Sequence, residues 1–271
     1  MKERFAKPPL LELVAEIRWQ LPRPFSGHDM PMPMIPQMLK VYEDGFSHFS
    51  KSMAEIGFRN SERLVPQGFP SMPYEPVLRY RFDESSPDTD CLDKSCLFQI
   101  GPGVFTANAV PPYSSWDEFG PIVRKGVDAL LKMPIPNGAP KEVAPTLRYI
   151  DAFKGELRAN RGLQQFMSEV MGVEINLPNV LSGENGESQI PVMHVVKKLP
   201  FGKMVLQFID GQVKEDRALI LDMAVSFDKP VEYDGAAILD AFSKARESIH
   251  EVFVDLTKPI HKEMGLQETG Q

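Results

Sequence analysis

Eight residues just past the middle of the chain, Thr146-Leu-Arg-Tyr-Ile-Asp-Ala-Phe153, read as a β-strand. Leu147, Tyr149 and Asp151 fall on one face, and Arg148, Ile150 and Ala152 on the other. Aromatic and β-branched residues suit such a pleated surface. Immediately upstream, Pro134, Pro136, Pro140 and Pro145 with Gly138 disfavour helix and continuous strand alike. A chain with this punctuation is expected to divide here, into segments 1–140 and 141–271. Pro145 is expected to mark the strand's start, where a missing donor costs no ladder bond.

The elements before and after this point recur in the same order. Leu10–Gln20 alternates Leu11, Leu13, Ala15, Ile17 and Trp19 with Glu12, Val14, Glu16 and Arg18, a strand with one apolar face. Met38, Val41, Tyr42, Gly45, Phe49, Met53 and Ile56 follow helical spacing, and Gly57 can close that helix. Strands are expected over 77–82, 95–100 and 104–110, the last two joined by Gly101-Pro102-Gly103. Ser115 and Glu118 form a capping box for a helix ending near Met133. After the break come the strand at 146–153, a helix at 162–171 and strands at 190–198, 204–210 and 217–227. A long helix capped by Asp234 and ended or kinked at Pro259 completes the order.

Two successive β-α-β-β-β-α halves predict an α+β fold. Each half has an antiparallel sheet with a long helix packed on it, a tandem helix-grip or TATA-binding-protein-like layout. The expectation rests on element order, since the halves share little sequence.

Apolar residues at 42% and charged residues at 25% of 271 suit a globular core without staples. No apolar run reaches the roughly 18–20 residues of a membrane span, and the first residues lack the apolar core of a secretory signal. A cytoplasmic protein that does not engage membranes is expected. Cys91 and Cys96 lack the second pair that a structural zinc site needs and read as two thiols. The net charge of −7 argues against nucleic acid as a partner of the whole surface.

The sequence contains no P-loop, no G-x-G-x-x-G after a strand, no H-E-x-x-H and no G-x-S-x-G. Its five histidines stand singly. No catalytic residue, cofactor or metal ligand is assigned. Two features suit binding instead. Met30-Pro-Met-Pro-Met-Ile-Pro36 is polyproline-prone, and Met32 and Met34 are apt for a protein partner or for covering the sheet. Arg18, Arg79 and Arg148 each sit between an aliphatic and an aromatic residue on a strand, with Tyr149 next to the last. On one sheet face they would suit phosphate or carboxylate; otherwise they form salt bridges with neighbouring acids.

The leading expectation is therefore a non-catalytic protein that binds another protein or itself. A binder of, or enzyme on, a small anionic ligand is the alternative. A nucleic-acid saddle is a weaker third reading.

The chain resembles a sporadically distributed bacterial family of about this length. The matching residues are Pro8-Pro9-Leu10-Leu11-Glu12 leading to Ile17-Arg18, the central Leu147-Arg148-Tyr149-Ile150, and His250-Glu-Val-Phe253 followed by Leu256-Thr257 and Glu263-Met264-Gly265. The resemblance implies no particular activity. Its patchy occurrence points to an accessory role such as defence or a toxin–antitoxin system. The family pattern has asparagine after Tyr149-Ile150, where this chain has Asp151.

Overall fold

The computed structural model describes residues 3–21, 35–66, 72–83, 94–111, 116–159, 161–176, 178, 180 and 192–267, with only the backbone described at 35–40. The described residues form an α+β fold of four α-helices and a large antiparallel sheet. They fall into two compact units that interleave in sequence. One comprises Leu13–Leu147 and Ser226–Ala245; the other comprises Met1–Glu12, Arg148–Val225 and Arg246–Gln271.

The first unit holds most of β2 (Leu10–Arg18), then α1 (Ile35–Glu55), β3 (Asn60–Arg63), β4 (Leu78–Arg81), β5 (Cys96–Gly101), β6 (Val104–Ala109) and α2 (Trp116–Lys132). Its strands lie in the order β3-β4-β5-β6-β2. Alternation determines which face is covered. Ala15 and Ile17 of β2, Phe98 and Ile100 of β5, and Phe105 and Ala107 of β6 are all buried. Phe49 of α1 meets the rings of Tyr80 and Phe105 at 5.4 and 6.0 Å. Burying one such aromatic ring stabilises by about 2–3 kcal/mol.

The buried stripe of α1 is Tyr42, Phe46, Phe49 and Met53. The spacing predicts Val41 in that stripe, but it is half exposed, and Phe46 takes the inward position one turn after Tyr42. Gly57 closes the helix with φ +95°. Ser115, the expected cap of α2, lies outside the described residues, as do Met32, Met34 and Cys91.

Close packing of α2 on the sheet depends on Gly126. A Cβ there would stand 2.3 Å from a ring carbon of Phe98 and 2.8 Å from Phe105. Gly126→Ala is expected to destabilise by about 1–3 kcal/mol, despite alanine's better helix propensity, because two buried rings must move. A melting temperature equal to or above the parent's would contradict that packing.

The second unit holds β1 (Arg4–Phe5), most of β10 (Asp216–Phe227), α3 (Leu163–Met171), β8 (Val192–Leu199), β9 (Gly202–Val213) and β12 (Leu266–Gln267). It also holds the C-terminal parts of β7 (Glu142–Phe153) and of α4 (Gly235–Thr257). Its strand order is β7-β10-β9-β8. Phe153 stacks near Phe166 and Phe253, at 5.4 and 6.5 Å. β1 pairs with β12, Phe5 opposite Leu266, which ties the two ends of the chain. Asp234 caps α4 as expected, accepting the Ala237 N–H at 3.0 Å.

β7 begins earlier than the prolines implied, at Glu142, so Pro145 lies inside it. On one flank the first residues, Glu142 and Val143, pair with the two-residue β11 (Val231–Glu232), which ends before Pro145 is reached. Proline is tolerated in a strand where its absent N–H is not called upon.

Candidate functional site

The structure places the three arginines on strands and gives each a carboxylate. In the first unit, register puts Glu62, Arg79, Gln99, Thr106 and Glu16 in one row across β3, β4, β5, β6 and β2. Their side chains share a face, the one opposite Tyr80, Phe98 and Ala107. Arg18, two residues from Glu16, shares it too. Arg18 and Arg79 are therefore brought to one sheet face, on strands three spacings apart and offset by two residues, about 16 Å from each other.

Each is already engaged. Arg18 Nε lies 2.8 Å from Glu16, and its guanidinium stands 6.0 Å from the Tyr74 ring centre. Arg79 Nη1 donates to Glu62 at 3.2 Å. With the Gln99 amide oxygen turned toward Arg79, it accepts from Nε at 3.0 Å and Nη2 at 3.2 Å, while its nitrogen donates to Thr106 at 3.3 Å. Thr106 in turn donates to Asn108 at 2.8 Å. Thr106 and Asn108 are buried. Such a chain satisfies buried polar groups and polarises each bond in the same direction.

Arg148, in the second unit, reaches from β7 to β10. Its Nε donates to Asp222 Oδ1 at 2.7 Å and its Nη2 to Oδ2, a bidentate pair. The Asp222 side chain is 4% exposed, whereas that of Arg148 is 46% exposed. Asp151 is buried at 3% exposure, and its Oδ2 has no hydrogen-bond partner among the described residues. Burial pushes its carboxyl up to about 8, with the charge of Asp222 adding to the effect. Asp151 is thus mostly a neutral acid at pH 7. Tyr149 is partly buried.

A groove of about 980 Å³ lies in the same unit. Val195, Leu206 and Phe208 of β8 and β9 contribute apolar lining, and Arg246, His250 and Val254 of α4 line it at helical spacing. His250 stands 3.3 Å from Glu3. The Glu3 carboxyl is held below its ordinary range by its own backbone N–H bond, to which His250 adds. His261 Nε2 is 3.1 Å from the Val254 carbonyl. Among the described residues, no serine, threonine or cysteine lines this groove. Nor do any three or more His, Cys, Asp or Glu residues cluster to hold a metal. No helix among them is long and apolar enough to cross a membrane.

Beside the groove runs β8, an end strand of the sheet. Its eight residues are nearly all exposed, with Val192 at 45%, Val195 at 42% and Val196 at 60%. In the first unit the end strand β3 is four residues long and wholly polar. Short polar edges resist pairing with other chains; longer, valine-rich ones invite it. The pattern over 190–198 predicts a strand but not its place in a sheet, which alternation does not encode. The run Val192-Met-His-Val-Val-Lys-Lys198, with apolar residues on both faces, was the available signal.

No protein-family model matches this chain, and no curated protein matches it.

Proposed function

We propose that this is a non-catalytic interaction module whose partner is another protein, bound along β8 and the groove beside it. The observation that carries the reading is the contrast between the two kinds of candidate surface. Arg18, Arg79 and Arg148 are each held by a carboxylate, whereas Val192, Val195 and Val196 stand uncovered on a sheet edge. An anion would have to displace those carboxylates before it could use the guanidinium groups.

We read the repeated order of elements as a doubled helix-on-sheet unit, halves 1–140 and 141–271, of the helix-grip or TATA-binding-protein-like kind. Its setting is the bacterial cytoplasm, in an accessory system of the defence or toxin–antitoxin type, as the resemblance implies.

Affinity purification of the full chain from its native cells, with chemical cross-linking, tests the reading. A stoichiometric protein partner cross-linked through Lys197, Lys198 or Lys203 is the expected result. The contrary result is no such partner, together with a rise in melting temperature on adding small phosphates or carboxylates that Arg79→Ala or Arg148→Ala abolishes. That outcome would transfer the function to the arginines.

A further inference from the structure

We propose that β8 takes up an extended, acidic segment of the partner protein as one further strand of the sheet. The inference rests on the interaction reading above and names the chemistry of its partner.

The backbone supplies the first argument. β8 and β9 are joined by Pro200-Phe201 alone, with Leu199 opposite Gly202. In a two-residue hairpin that closing pair is hydrogen-bonded, and such pairs alternate along an antiparallel ladder. Leu199, Lys197, Val195 and Met193 therefore turn their N–H and C=O groups toward β9. Lys198, Val196, His194 and Val192 turn theirs away, to an edge that no described strand pairs. A row of outward amides and carbonyls at two-residue spacing is complementary to another extended backbone and to little else.

The side chains supply the second. A strand added here would lay one face beside Val192 and Val196 and the other beside Val195 at the groove. Lys197, Lys198 and Lys203 crowd the hairpin end, Lys198 directly opposite Lys203. None of the three makes an ion pair with a described residue, in a chain whose net charge is −7. Screening confines the effect of that overall charge to about 8 Å at physiological salt, so an approaching strand feels the lysines first. The lysines disfavour a second copy as occupant: antiparallel self-pairing, which the outward groups allow about Val195 or Val196, sets Lys197 and Lys198 opposite Met193 and Val192 or opposite Val195 and His194, and β8 itself offers them no carboxylate. Carboxylates interleaved with valine-like residues fit the edge.

The test uses the full chain and a labelled octapeptide of alternating glutamate and valine, with its lysine–valine counterpart as control. The acidic peptide should bind at least about tenfold more tightly than the basic one. Its binding should weaken as salt rises from low to about 0.3 M. Val196→Pro removes an outward N–H without removing a bond to β9, so the fold should persist while binding drops at least about tenfold. Should that variant melt early, the triple charge reversal Lys197→Glu, Lys198→Glu, Lys203→Glu serves instead, with the same loss expected. Equal affinity for both peptides, or binding undiminished in both variants, overturns the proposal. So does a dimer in sedimentation that Val196→Pro splits while neither peptide binds, which would make the occupant a second copy. A native partner still captured by the Val196→Pro protein would sink the added strand while leaving the interaction module standing.

Discussion

Replacing Asp151 with asparagine stabilises the protein at neutral pH and leaves it little changed in acid. The Asp151 carboxyl is raised from 3.8 to about 8 in the folded chain by burial and by the nearby charge of Asp222. Between those values the folded state holds a proton that the unfolded state has released. Stability therefore falls as pH rises across this window, by about 1.4 kcal/mol per pH unit while the two states differ by one whole proton. Below pH 4 both states are protonated and the cost is absent. Above pH 8 the carboxylate is ionised in the fold and the cost is complete.

Asparagine has the shape of the neutral acid and does not titrate. Asp151→Asn should melt within a degree or two of the parent near pH 4 and at least about 5 °C above it near pH 8. Urea unfolding of both proteins from pH 4 to pH 9 measures the gap. Parallel stability curves would show that Asp151 carries no such shift. A buried site with an unpartnered oxygen favours the group that never ionises.

Arg148→Ala acts in the opposite direction. Asp222 has a side chain only 4% exposed, and the guanidinium of Arg148 donates to both its oxygens. Removing the arginine strands a buried carboxylate. Breaking a buried pair costs about 3–5 kcal/mol, and the half-exposed position of Arg148 places this one near the lower figure. The expected loss is about 3 kcal/mol, or roughly 6–12 °C in melting temperature for a chain of this size. Arg148→Met combined with Asp222→Leu should recover most of it, since both charges then leave together. A single variant as stable as the parent would mean that water or another group satisfies Asp222. A double variant no better than the single would mean that the pair contributes more than mutual neutralisation.

Asp222 also shows where sequence reading stops. Arg18, Arg79 and Arg148 stand out on their strands, and acids near them in sequence are expected to answer them. For Arg18 the expectation holds, since Glu16 lies two residues away on the same strand face. The partner of Arg148 lies 74 residues further on, on a strand read only as alternating. The partner of Arg79 lies on β3, whose sequence Asn-Ser-Glu-Arg has no apolar alternation to reveal a strand. Such pairings depend on register, and register is a property of two strands at once.

What the chain determines locally it determines well. Alternation located β2, β4, β5, β6 and β10 to within a residue or two at most ends. Helical spacing located all four helices, and Gly57 and Asp234 marked ends that a backbone angle and a capping bond bear out. These features follow from periods of two and 3.6 and from the steric demands of single residues, which neighbours in sequence suffice to express. The tertiary structure alone decided that Asp151 is sealed from water beside Asp222, and that β8 ends the sheet with its valines bare. Burial and edge position depend on what the rest of the chain brings alongside, and no short stretch of sequence contains that information.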